Sequence, residues 1–229
     1  MIQYLDTPVF GVGVSILAYS IGLMVAKRTR LAIMNPLLVA MVIVISILTI
    51  LGVDYQTYNK GGAMITFFLG PATVVLAVPL YRQWELLKSN LMPILTGIAV
   101  GSIAGVASII ILGRLRVLDP VFIASMVQKS TPTPIAKEIP AEMGENRSLT
   151  ATFVSITGIT GFIAGVRIID AFGIRNPIAK GIAMGTASHA VGTAKAMEVG
   201  EVEGAMSSLS IGVAGIITVF LIPVIMWFL

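Results

Sequence analysis

The 229-residue chain has no cysteine and a single histidine, which removes disulfides, thiol nucleophiles, thiolate metal sites and multi-histidine metal sites from consideration. Charge is equally scarce: only 11% of residues are Asp, Glu, Lys or Arg, and none falls in five long apolar stretches, Val9 to Ala26, Pro36 to Val53, Gly61 to Tyr81, Leu91 to Gly113 and Gly204 to Leu229. No basic run is long enough for a nucleic-acid interface, so the net charge of +4 reads as loop charge that fixes topology. Paired carboxylates are missing from these stretches, as are a phosphate loop and a His-Glu-x-x-His motif. Ser188 and His189 are neighbours, but adjacent helical residues diverge, so they make a poor hydrolytic pair. The chain is expected not to be an enzyme.

What remains is apolar: 56% hydrophobic residues and a mean hydropathy of +0.97 leave too little polar surface to cover a water-soluble fold. A bilayer span needs roughly 20 apolar residues. The five stretches meet that need, and Leu149 to Val166, richer in Thr and Gly, adds a sixth. Pro120 to Ala136 and Ile178 to Ala196 are apolar but interrupted by polar residues and prolines, which a membrane tolerates only where protein or a wet cavity covers them. The predicted fold is all-α, a polytopic transmembrane bundle of about eight segments with two or three broken or re-entrant. It forms one membrane domain over 1–229, with no room for a soluble domain. Met1 to Pro8 lacks the basic start of a secretory signal, so the first stretch is expected to stay in the bilayer. The cluster Lys27-Arg28-Thr29-Arg30 places that loop in the cytoplasm and the N-terminus outside.

Short echoes link the two halves. Lys60-Gly61-Gly62-Ala63-Met64 resembles Lys180-Gly181-Ile182-Ala183-Met184, Gly70-Pro71-Ala72-Thr73 resembles Gly185-Thr186-Ala187-Ser188, and Asn35-Pro36 resembles Asn176-Pro177. They are compatible with repeat halves near 1–117 and 118–229, as in many transporters, or with the general abundance of small residues.

Three places combine helix breakers with small hydroxyl residues. Gly70-Pro71-Ala72-Thr73, with Pro79 beyond it, predicts a local interruption, either an ordinary proline kink or part of a pocket. In Lys129-Ser130-Thr131-Pro132-Thr133-Pro134 two closely spaced prolines force extended backbone. A half-helix starting near Pro134 would aim N–H groups at a carboxylate, with Thr131 and Thr133 as donors and Lys129 as the charge. The plainer alternative is a surface loop with Lys129 snorkelling. The third is the segment from Gly185 to Ala196. Treated as one helix, it aligns Ser188, Gly192 and Lys195, and separately His189 and Thr193. His189 is the candidate for a coupling proton, or is a buried histidine bonded to a carbonyl. Hydroxyls and carbonyls at breaks also suit a sodium ion. Lys195 reads as a ligand or an interfacial anchor. Gly97, Gly101 and Gly105 suit close helix packing, within the chain or in a homodimer.

These motifs, Leu69 to Tyr81, Lys129 to Ala136 and Gly185 to Ala196, together with Gly204-Ala205-Met206-Ser207-Ser208-Leu209, closely resemble the LrgB/CidB family in order and over nearly the whole chain. The resemblance implies a multi-pass protein of a bacterial plasma membrane. It implies either transport of small monocarboxylates (pyruvate, lactate, glycolate or glycerate type) or antiholin-like regulation of murein hydrolase export with a small LrgA/CidA-type partner. Combined with the breaks, it gives a substrate-binding set of Lys129, Ser130, Thr131, Thr133, Thr73, Thr186, Ser188, Thr193 and Lys195. The expected helix breaks are Gly70, Pro71, Pro79, Pro132, Pro134, Gly185 and Gly192. The expected partners are a small carboxylate, the lipid bilayer and the holin-like protein, with no cofactor beyond a coupling H+ or Na+.

Overall fold

The computed structural model describes residues 6–31, 33–75, 77–129 and 146–226, and every element among them is helical. In chain order these are α1 (Pro8–Thr29), α2 (Pro36–Leu51), α3 (Tyr55–Phe67), α4 (Leu69–Val75), α5 (Ala77–Arg82), α6 (Trp84–Ser89), α7 (Leu91–Leu115), α8 (Pro120–Gln128), α9 (Arg147–Thr160), a π-helical turn (Gly161–Gly165), α10 (Val166–Ala171), α11 (Pro177–Val199) and α12 (Glu201–Met226). Among the described residues four helical stretches are long and apolar enough to cross a membrane: Pro8–Thr29, Leu91–Leu115, Ser148–Ala171 and Glu201–Val224. Pro36–Leu51 is a shorter apolar helix. The protein is therefore a helical membrane protein. The stretch Gly61 to Tyr81, which reads as one span in the sequence, is interrupted by a turn at Phe68, where α3 gives way to α4.

Helix starts are set by local chemistry. Asn35-Pro36, Asp119-Pro120 and Asn176-Pro177 use one device: the Asn or Asp carboxamide or carboxylate oxygen accepts the N–H two residues on, at 2.8 Å in all three cases. The proline at the first helical position supplies a preset φ where no donor is needed. The resemblance of Asn35-Pro36 to Asn176-Pro177 thus corresponds to a shared cap.

The chain divides into two compact units between Val74 and Val75. In the first, α1 packs on α2 and α3 through bare backbone. A Cβ on Gly11 would meet the Tyr58 carbonyl and the Gly61 backbone, and one on Gly22 would meet the Pro36 carbonyl. Ser15 and Tyr58 share a hydrogen bond of 2.8 Å, and Lys60 pairs with Asp6 at 2.6 Å.

The second unit is built around α7 and α12, which run side by side. Near their N-terminal ends Leu87, Ile94 and Ile98 pack against Ala205, Met206 and Ala214. Near their C-terminal ends Val106 and Ile109 join Ile222, together with Ile123 and Val127 of α8. Because Ile123 sits on Gly113 while Val127 reaches Val106 and Ile109, α8 starts beside the C-terminal end of α7 and runs back inward. With nine residues, α8 covers about 13 Å. It therefore stops about halfway across a hydrocarbon layer of about 30 Å.

Candidate functional site

The centre of the second unit is a discontinuity in α11, where His189 has φ 48° and ψ −136°, far from helical values. Residues eight apart in an unbroken helix lie about 12 Å apart along its axis. Here a Cβ on Gly192 would sit 2.8 Å from the Met184 carbonyl oxygen, and Met184 and Ala196 share one apolar cluster. The chain therefore reverses at His189, so α11 is a hairpin of two half-helices, residues 177–188 and 190–199.

Both limbs rest on α12. Gly185 abuts Ser207 and Ser210, Thr193 exchanges a 2.7 Å hydrogen bond with Ser207, and Gly204 packs on Met197. Lys180 and Val199 border the same small crevice, so the two ends of the hairpin emerge together. At about 18 and 15 Å the limbs reach about mid-depth and return. This is a re-entrant hairpin with His189 at its tip.

Glycines admit the tip. A Cβ on Gly158 would press on Val191, one on Gly161 would collide with the Ser188 side chain, and one on Gly165 would meet Met184. Gly161–Gly165 is also where the span 148–171 widens into a π turn, a local irregularity that often accompanies functional sites.

The end of α8 meets the tip. His189 Nε2 lies 3.0 Å from the Lys129 carbonyl oxygen. A carbonyl only accepts, so Nε2 carries the hydrogen and donates, leaving Nδ1 buried and without a partner among the described residues. One half-helix from each side of the unit thus ends at the same point.

Beside this junction lies a cavity of about 680 Å³ between α7 and the first limb of α11. Asn90, Pro93 and Asn176 border it at the helix starts, and Lys129, Thr186 and Ala187 near the tip. Gly97, Gly101, Ser102, Gly105 and Ser108 form the α7 wall. None of the ion pairs among the described residues includes Lys129. Ser102 and Thr186, which also border the cavity, have buried hydroxyls with no partner among the described residues. The arrangement supplies one positive charge, hydroxyl donors and broken backbone around a space large enough for a small solute, which suits an anion.

The sequence-predicted residues divide accordingly. Lys129 and Thr186 border the cavity, and Ser188 and His189 form the tip beside it. Thr193 faces α12 through its bond to Ser207. Lys195 pairs with Glu198 at 2.8 Å and lies 5.3 Å from the Phe162 ring centre, so it is engaged elsewhere. The predicted stripe Ser188, Gly192, Lys195 presumed a continuous helix, and the reversal disperses it. The breaking residue is His189, between the expected Gly185 and Gly192, both of which serve close packing. Gly70 and Pro71 lie in the short helix α4 at the end of the first unit, and Pro79 in α5. Thr73 lies in the backbone of α4, and its side chain is outside what is described. Ser130, Thr131, Pro132, Thr133 and Pro134 lie outside the described residues.

The left-handed backbone at His189 gives a prediction of inverted sign. In a helix interior Ala is more stabilising than Gly by about 1 kcal/mol. At a strained, positive-φ site the order reverses, because only Gly relieves about 1–3 kcal/mol of backbone strain. Purified His189→Gly protein is expected to melt above His189→Ala in detergent. Greater stability of the Ala variant would mean a regular helix at this position.

The chain was compared with known proteins. The family model described as "LrgB-like family" matches residues 15–228. Curated proteins named "Antiholin-like protein LrgB" from Bacillus mycoides (strain KBAB4), Bacillus cereus (strain B4264) and Bacillus anthracis (strain CDC 684 / NRRL 3495) are each 40% identical over 224 residues, which is 97% of this chain and 97% of theirs. Comparison with solved structures gives no match.

Proposed function

Because the chain belongs to the LrgB-like family and is a helical membrane protein, we propose that it is a secondary transporter of small monocarboxylates across a bacterial plasma membrane. The single observation that carries this reading is the meeting of two half-helices at Lys129 and His189 beside a largely apolar cavity that Lys129, Thr186 and Ser108 border. A charge without an ion pair among the described residues, and open backbone at membrane depth, cost free energy, which a site that handles a polar solute offsets. Broken helices at mid-depth are the usual construction of substrate sites in secondary transporters.

In the mechanism, Lys129 draws the carboxylate into the cavity, and Thr186 donates a hydrogen bond to it. The hairpin, seated on α12 through small residues, shifts against α7 to expose the site alternately to each side. His189 carries a coupling proton on Nδ1, since Nε2 is committed to the Lys129 carbonyl. A sodium ion held by carbonyls at the break is the other coupling option.

The relatives' name, antiholin-like, favours a second reading, which the resemblance to the LrgB/CidB family fills out: the chain restrains a small holin-like membrane partner and so governs murein hydrolase export. Uptake of radiolabelled pyruvate into proteoliposomes separates the two. Saturable uptake by the chain alone is the expected result. Uptake that requires the small partner, with no binding by the purified chain, would assign it the auxiliary role.

A further inference from the structure

A serine or threonine in a membrane helix normally satisfies its hydroxyl by donating to the carbonyl one turn back. The described helices follow this rule repeatedly: Ser15 to Gly11, Ser46 to Val42, Ser125 to Val121, Ser208 to Gly204, Ser210 to Met206 and Thr218 to Ala214, all at 2.7–2.9 Å. Ser102 departs from it. Its residue is 4% exposed, yet its Oγ has no partner among the described residues. Thr150 on α9 and Thr186 on α11 depart from it as well. Of these three, only Ser102 and Thr186 border the cavity, from opposite walls.

The α7 wall is otherwise bare. A Cβ on Gly101 would lie 3.3 Å from the Thr186 methyl, so α7 and α11 come into contact at this level, one residue from Ser102. A Cβ on Gly105 would meet nothing within 4 Å. The glycine face therefore brings α7 close at Gly101 and leaves space at Gly105, about one turn from the buried Ser102 hydroxyl, with Lys129 bordering the same cavity.

We propose that Ser102, on the glycine face of α7, contacts the transported anion and completes the site formed by Thr186 across the cavity and Lys129 near the hairpin tip. The proposal rests on the transport reading and adds the wall of α7 to it. Ser102 donates its hydroxyl to the carboxylate, which provides the partner that the helix carbonyl does not.

The test uses full-length protein in proteoliposomes with pyruvate as the probe. A donor to a charged group contributes enough that Ser102→Ala should raise KM about ten- to a hundredfold. Ser102→Thr, which keeps the hydroxyl, should restore most of the affinity. Thermal stability separates binding from structure: a hydroxyl without a partner contributes no fold-stabilising bond, so Ser102→Ala should melt at or above the wild-type temperature. Wild-type uptake with an unchanged KM for Ser102→Ala overturns the assignment and leaves transport standing. A lowered melting temperature together with a raised KM makes Ser102 a structural residue and overturns it as well. Absence of uptake by wild-type protein overturns both proposals.

Discussion

Lys129→Ala is expected to reduce pyruvate uptake in proteoliposomes by about a hundredfold at sub-saturating substrate, with the protein still folded. Lys129 borders the cavity, at the end of α8, without an ion pair among the described residues. A charge-assisted hydrogen bond to a carboxylate is worth about 1.5–3 kcal/mol, the upper end of which corresponds to that factor. Lys129→Met separates charge from packing, since it keeps an unbranched apolar stem but carries no proton donor. Equal loss in both variants, with Lys129→Arg retaining part of the activity, is the expected pattern. Full activity of Lys129→Met would remove the anion site.

The second large effect concerns sidedness. The cavity extends from Asn90 and Asn176 at the helix starts to the hairpin tip, whereas the other end of α7 is packed by Val106, Ile109, Ile123, Val127 and Ile222. On the transport proposal this conformation is open toward one face, and the apolar cluster closes it toward the other. The chain has no cysteine of its own, so single cysteines report without background. Gly97→Cys and Thr186→Cys are expected to react with a membrane-impermeant thiol reagent from one side only, and Ile109→Cys from neither. Ready labelling of Ile109→Cys from the opposite side would show that the apolar cluster is not a seal.

Much of this architecture is legible from composition, and the reasons for the rest are specific. Spans such as Leu91 to Gly113 declare themselves because length and hydropathy alone decide whether a helix can cross a bilayer. The polar residues between Ile178 and Ala196 mark a damaged segment. They do not place its turn, because no sequence signal assigns a positive φ to a histidine flanked by Ser and Ala when Gly185 and Gly192 stand nearby. Both glycines answer to tertiary contacts with Ser207 and Ser188 that a helical wheel does not contain.

The glycine face of α7 carries the same lesson in reverse. Gly97, Gly101 and Gly105 read as a packing surface, and two of them do approach α11, but together they also floor a cavity. Ser102 escapes notice in the sequence because a lone serine in an apolar helix is ordinary. Only the missing bond to a carbonyl, visible in three dimensions, distinguishes it from Ser125 or Ser210. Between α3 and α5 the hydropathy is continuous, so the turn at Phe68 leaves no trace in a window average.

The regulatory and transport readings are separable because they place the cost of the broken helices differently. The transport proposal has the cation and the hydroxyls that border the cavity bind the solute, whereas the regulatory reading assigns them no ligand. In the proposed mechanism the hairpin is the moving part, and it packs against α9 and α12 at Gly158, Gly161, Gly185 and Gly204, which allow close approach.

The most direct measurement is titration calorimetry of pyruvate into the purified chain alone, in detergent, with Lys129→Ala beside it. The account predicts saturable one-to-one binding by the wild type and none detectable in the variant. Heats that are absent in the wild type, or identical in the two proteins, would contradict it.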